Sequence, residues 1–127
     1  MERYAMIVAG FGFRTGATPE SLRDALGRAG GQADRVATLA DKAASEAFRA
    51  FAASYHVTKV KPEALRDVRT ATHSTQSRTV RQTGSVAEAC ALAAAGPNAR
   101  LLAPRVISHD RLATCALAQV TPAGDDT

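Results

Sequence analysis

The sequence predicts a single α/β domain: a mixed β-sheet with helices on both faces and a C-terminal antiparallel hairpin. Three observations carry that expectation. Residues 5–9 (Ala-Met-Ile-Val-Ala) form a continuous apolar run that ends in glycine, the pattern of a strand buried on both faces. Stretches of strand and helix character then alternate along the chain, as they do where helices cross over a sheet. Near the C-terminus, two strand-like stretches are separated by a short polar segment, which reads as a hairpin. At 127 residues the chain fits one domain, expected over residues 1–121 with a disordered tail over 122–127.

The first strand leads into Gly10-Phe11-Gly12-Phe13-Arg14-Thr15-Gly16, read as a glycine-rich turn. Thr18-Pro19-Glu20 then opens a helix. Threonine caps, proline is pre-set for the first helical position, and glutamate suits the positive end. Leu22, Ala25, Leu26 and Ala29 form its apolar stripe, and Gly30-Gly31 stops it. Residues 35–40 alternate weakly and form a second strand. Asp41 precedes a helix over about 42–55, on which Phe48 and Phe51 share a face and are read as core.

Residues 57–60 make a short third strand, and Pro62-Glu63 opens a brief helix. Residues 70–82 are polar, rich in hydroxyls and almost aperiodic, so they read as a loop, functional or poorly ordered. Ser85-Val86-Ala87-Glu88 has the form of a capping box, with its helix running to Ala95 and ending at Gly96-Pro97. Residues 100–104 and 111–120 are the hairpin strands, with Ser108-His109-Asp110 near the turn. Right-handed crossovers place the first turn at the carboxyl end of strand one, where open α/β sheets bind ligands.

Hydrophobic residues make up 46% of the chain and alanine supplies much of that share, so tight helix-on-sheet packing is expected rather than bulky aromatic layers. The absence of tryptophan argues against a nucleic-acid stacking surface. The net charge of +4 rests on arginine, because lysine occurs only at Lys42, Lys59 and Lys61. Guanidinium groups pair bidentately with carboxylates and phosphates, so a polyanionic ligand suits this composition; an arginine-rich genome produces it too. Cys90 and Cys115 stand far apart in apolar contexts and read as buried thiols. No signal peptide and no run of about 18 apolar residues is evident. A cytoplasmic protein with neither membrane nor nucleic-acid partners is expected.

The Gly-x-Gly-x-x-x-Gly turn, Gly10, Gly12 and Gly16 with Phe13, Arg14 and Thr15 between, has two readings. Its amides and the following helix N-terminus suit an anion, or the turn is purely structural. It misses the dinucleotide spacing. Lys42 and Glu46 are either a helical i,i+4 surface pair or, for Lys42, an anion contact beside that turn. Thr83-Gly84-Ser85 offers a second helix N-terminus, and Ser85 either caps it or binds a carboxylate. Glu88 is a capping partner or a general base. No metal-ligand spacing links His56, His73 and His109, so no protein-built metal site and no cofactor are expected.

Several segments together resemble the CobE/CbiG C-terminal domain family of cobalamin biosynthesis. They are Val8-Ala-Gly-Phe-Gly-Phe-Arg-Thr-Gly16 with Thr18-Pro-Glu-Ser-Leu22, then Ala40-Asp-Lys-Ala43, Thr83-Gly-Ser-Val-Ala-Glu-Ala89, Leu101-Leu-Ala-Pro-Arg105 and Ala113-Thr-Cys-Ala-Leu-Ala118. The resemblance implies a precorrin or corrinoid intermediate as ligand, a macrocycle ringed by acetate and propionate carboxylates, with other cobalamin-pathway enzymes as further partners. Arg14, Lys42 and the amides around Gly12 and Ser85 would hold those carboxylates, and residues 70–82, with Arg78 and Arg81, would fold over as a lid. CbiG-like proteins open a precorrin lactone, which would require Glu46 or Glu88 as base here. Phe13 stands where the family often has cysteine, which shifts the expectation from covalent catalysis to binding by an accessory or carrier protein.

Overall fold

The computed structural model describes residues 6–66, 84–96 and 99–120. Along the chain run β1 (Met6–Phe13), α1 (Pro19–Ala29), β2 (Arg35–Leu39), α2 (Glu46–Phe51) with a 3-10 turn (Ala52–Ser54), β3 (His56–Val60), α3 (Pro62–Arg66), α4 (Gly84–Ala95), β4 (Arg100–Ile107) and β5 (Ala113–Val120). The strands form one sheet in the order β3-β2-β1-β5-β4. β1 is central, parallel to β2 from Val8↔Arg35 to Gly10↔Ala37 and antiparallel to β5 from Met6↔Val120 to Phe13↔Ala113. The β4–β5 hairpin completes the sheet, so the expected mixed α/β architecture with a C-terminal hairpin is the one observed.

The strand expected to end at Ala9 continues to Phe13, so Gly10 to Phe13 are sheet rather than turn. The reason is β5, which pairs with β1 residue for residue to its end; a ladder partner outweighs the poor strand propensity of two glycines. The true turn is short: Ala17 N–H donates to Arg14 O at 3.0 Å, and Gly16 takes φ 101°. Gly10 has another function. A Cβ there would collide with Ala87 O and Ala91 N of α4 and lie 2.9 Å from Ala91 Cα. The missing side chain lets α4 lie directly on the central strand.

The helices cover both faces. α1 and α2 bury Phe11, Leu22, Leu26, Val36, Phe48 and Phe51 on one side, while α4 buries Val8, Ala37, Val60 and Cys90 on the other. The alanine-dominated packing expected from composition holds under α4. It fails on the opposite face, where all four phenylalanines meet: Phe11 packs edge-on to Phe48 and Phe51, and Phe13 stacks on Phe48 with centroids 5.8 Å apart.

One local expectation needs correction. The second helix begins at Glu46, not Lys42, because Ser45 is the N-cap and accepts from Phe48 N–H. Lys42 lies in the preceding turn, so it forms no helical i,i+4 pair with Glu46. α4 opens at Gly84, and the side chain of Ser85, expected to cap it, lies outside the described residues. The Glu88 carboxylate accepts from Arg105 N–H at 3.2 Å. A capping box forms at α1, where Thr18 and Ser21 exchange hydrogen bonds.

The two kinds of glycine give opposite responses. Gly10→Ala is expected to destabilise by on the order of 3 kcal/mol, since backbone of α4 must shift. Gly27→Ala, in the last turns of α1 with no atom near its added methyl, is expected to stabilise by roughly 0.5–1 kcal/mol. Urea unfolding of both variants against the parent checks the pair.

Candidate functional site

Beyond Gly10 the pairing of β1 with β2 stops, while that of β1 with β5 continues. The strand ends therefore diverge, and a crevice of about 610 Å³ opens at the carboxyl ends of β1, β2 and β4. That size lies within the roughly 300–1,000 Å³ of ligand-binding clefts. Apolar side chains, Phe11, Phe13, Leu39, Val86, Ile107 and Leu112, make much of its lining. Four cations, Arg14, Lys42, Arg105 and Arg111, line it as well, and no carboxylate does among the described residues.

Each cation is held by a specific backbone feature. Lys42 follows β2 in a turn closed by its own N–H to Leu39 O at 2.9 Å. Its ammonium donates to Phe13 O at 3.0 Å and sits 5.2 Å from the Phe13 ring centroid, an arrangement that favours a cation. One of its three donors is thereby used. Arg14 is fixed at the end of β1 by its N–H bond to Leu112 O at 2.9 Å. Arg105 lies where β4 shifts register against β5, between Ala103 and Val106. Its N–H is held by Glu88, which is only 2% exposed. Arg111 occupies the hairpin loop with φ 66°.

The loop is braced by Asp110. Its carboxylate accepts from Ser108 Oγ and Ser21 Oγ, both at 2.6 Å, and from Leu112 N–H at 3.1 Å. Ser108 Oγ in turn accepts from Ala113 N–H. These bonds, that from Ser108 foremost, hold the Asp110 carboxyl down at about 2, well below the usual carboxylate range. Nearby, Asp24 accepts from His109 N–H at 2.6 Å and from Arg28, and its carboxyl is also lowered, first by the His109 bond.

Of the residues the sequence singled out, Gly12, Phe13, Arg14 and Lys42 line the crevice. Gly84 and Ser85 begin α4, whose next residue, Val86, lines it too, so the positive end of that helix adjoins the crevice. Gly10 is buried beneath α4, and Thr15 and Gly16 belong to the turn outside the lining. Glu46 is exposed on α2, Glu88 is buried behind Arg105, and neither lines the crevice. Thr83 and residues 70–82, with Arg78 and Arg81, lie outside the described residues.

The backbone anion cradle expected at Gly10 to Gly16 is not built there. Residues up to Phe13 are in the sheet, and Arg14 N–H is bonded to Leu112 O. The N-terminus of α1 is capped by Thr18, with Asp110 beside it on Ser21. Positive charge in the crevice comes instead from side chains and from α4. Arg105 and Arg111 were missed, because strand-like sequence around each hid that the hairpin returns to the end of β1. Two arginines flanking the Ser108-His109-Asp110 turn were the available signal. Burial pushes the Cys90 thiol up to about 12 and raises that of Cys115 as well, so neither supplies a thiolate. Among the described residues no group of three or more His, Cys, Asp and Glu is placed to hold a metal ion, and no helix is long and apolar enough to cross a membrane.

Comparison with known proteins agrees with this architecture. The family pattern described as cobalamin synthesis G C-terminus matches residues 7–118. The crystal structure of cobalamin biosynthesis protein chiG from Agrobacterium tumefaciens str. C58 superposes with TM-score 0.68 at 33% identity, over 91% of this chain and 98% of that one. CobE, a protein from the cobalamin (vitamin B12) biosynthetic pathway, superposes with TM-score 0.67 at 29% identity, over 93% of each chain. No curated protein sequence matches.

The Asp110 bonds predict a signed pH effect. With its folded value depressed to about 2, the ionised carboxylate stabilises the fold fully above the ordinary value near 4, and that contribution is lost as pH falls towards 2. Asp110→Asn is expected to lower the melting temperature by a constant amount from pH 7 to 5. The gap to the parent then closes below pH 4, as thermal unfolding across that range would record.

Proposed function

The chain belongs to the cobalamin synthesis G C-terminus family, and on that basis we propose that its crevice binds a polycarboxylate precorrin intermediate, the protein acting in corrin-ring biosynthesis as an accessory or carrier. One observation carries the reading: an apolar lining set with four cations and, among the described residues, no carboxylate. A precorrin presents the complementary surface, an apolar macrocycle edged with acetates and propionates that are ionised near neutral pH. Contacts of exposed charge pairs are worth only roughly 0.2–1 kcal/mol each. Apolar burial therefore supplies most of the affinity, and Arg14 and Lys42 set the orientation of the ring.

The positions of the two candidate bases favour binding over lactone hydrolysis. Glu46 faces solvent on α2, and Glu88 is buried, accepts from Arg105 N–H and does not itself line the crevice. A general base must reach the proton it removes, directly or through one water. Phe13 offers no nucleophile, and both thiols are buried.

Titration of the full chain with hydrogenobyrinic acid, followed by its visible spectrum, tests the reading. A saturable change at tens of micromolar ligand or below is expected. Arg14→Ala and Lys42→Ala should each weaken binding about three- to ten-fold, consistent with losing one or two polar contacts, and added salt should weaken it further. No spectral change at tens of micromolar would overturn the proposal.

A further inference from the structure

Arg111 carries a backbone conformation that its side chain does not favour. It is the one non-glycine residue with positive φ among those described, at 66°. The hairpin requires that geometry: Arg111 N–H donates to Ser108 O at 2.9 Å, Ser108 N–H to Ala113 O at 2.8 Å, and Leu112 N–H to Asp110. Left-handed positions in such loops are ordinarily filled by glycine or asparagine, because a Cβ is crowded there. Arginine is therefore the costly occupant.

Its side chain has no structural employment to explain the choice. Arg111 is exposed, and among the described residues its guanidinium has no hydrogen-bond or ion-pair partner. It does line the crevice, as does Arg105 of the strand that leads into the loop. The loop that bears it is held stiffly, since Asp110 ties the hairpin to Ser21 of α1. A free guanidinium on a braced, strained anchor in the lining of a cationic crevice is a pre-organised anion grip.

We infer that Arg111 is a specificity-determining residue of this site, held in a strained turn so that its guanidinium grips one peripheral carboxylate of a bound polyacid. The inference rests on the crevice being the carboxylate site of the proposed function. It assigns to the hairpin, rather than to the glycine-rich segment of β1, the fork that reads carboxylate geometry.

The test compares Arg111→Gly with Arg111→Ala in the full chain. Both remove the guanidinium, but only glycine relieves the backbone. Without ligand, Arg111→Gly is expected to melt roughly 2–5 °C above Arg111→Ala. Both variants should bind hydrogenobyrinic acid at least three-fold more weakly than the parent. Binding by Arg111→Gly within three-fold of the parent, or melting no higher than Arg111→Ala, overturns the inference. Citrate at matched ionic strength separates the two readings. If the parent ignores the corrin acid but citrate raises its melting temperature and not that of Arg111→Gly, the precorrin reading falls and the grip stands. If neither polyacid acts on the parent, the grip falls as well.

Discussion

The full-length antiparallel ladder between β1 and β5 is the constraint on which the rest of this structure depends. It carries β1 through two glycines that would otherwise break the strand, and commits those residues to the sheet. Because β2 leaves β1 after Gly10 while β5 stays with it to Phe13, the sheet splits on one side only, and the crevice is the split. The same ladder sets the β4–β5 turn beside the end of β1. Arg14 N–H bonds Leu112 O, and Arg105 and Arg111 come to the crevice that Lys42 also lines. A single pairing thus fixes both the shape of the site and the sign of its charge.

The two faces of the sheet solve the packing problem differently. Under α4 the side chains are small or mid-sized, Val8 and Val60 among them, and close contact is made by backbone approach at Gly10 and by Ala87, Ala91 and Cys90. Such a surface tolerates no added methyl, since density there is already that of a close-packed interior. Under α1 and α2 the phenylalanines interlock, and Phe13 extends that cluster to the crevice, where its ring and carbonyl seat the Lys42 ammonium. Core and site are joined at that residue. The aromatic layer does not merely support the crevice; it places one of its charges.

Much of the fold was legible from local pattern. The alternation of elements, the Thr18-Pro19 helix start, the hairpin and the burial of Phe48, Phe51 and both cysteines are written in short stretches of sequence, and the structure has them. What was illegible depended on partners distant in the chain. Gly10 to Phe13 read as a turn because glycine breaks strands locally, and only β5 makes them a strand. The bond from Arg105 N–H to the Glu88 carboxylate joins α4 to β4, a contact no local motif announces. For the crevice, Gly12, Phe13, Arg14 and Lys42 were found because they cluster near one strand end, while Arg105 and Arg111 entered through the hairpin. Local rules locate elements; the ladder decides which ends meet.

The same ladder has a consequence for how the chain is made. Gly12 accepts from the Thr114 hydroxyl across 102 residues of sequence, so the central strand of the sheet waits for a partner synthesised long after it. On the ribosome the emerging segment holds β1, β2 and β3 as a half-sheet whose innermost edge is open, an edge of the kind that pairs with other chains. Such late closure gives the domain a high contact order and a slow final docking step. The nascent chain is most exposed to mispairing while its central strand still lacks one neighbour, and the crevice comes into being only when that vulnerability ends.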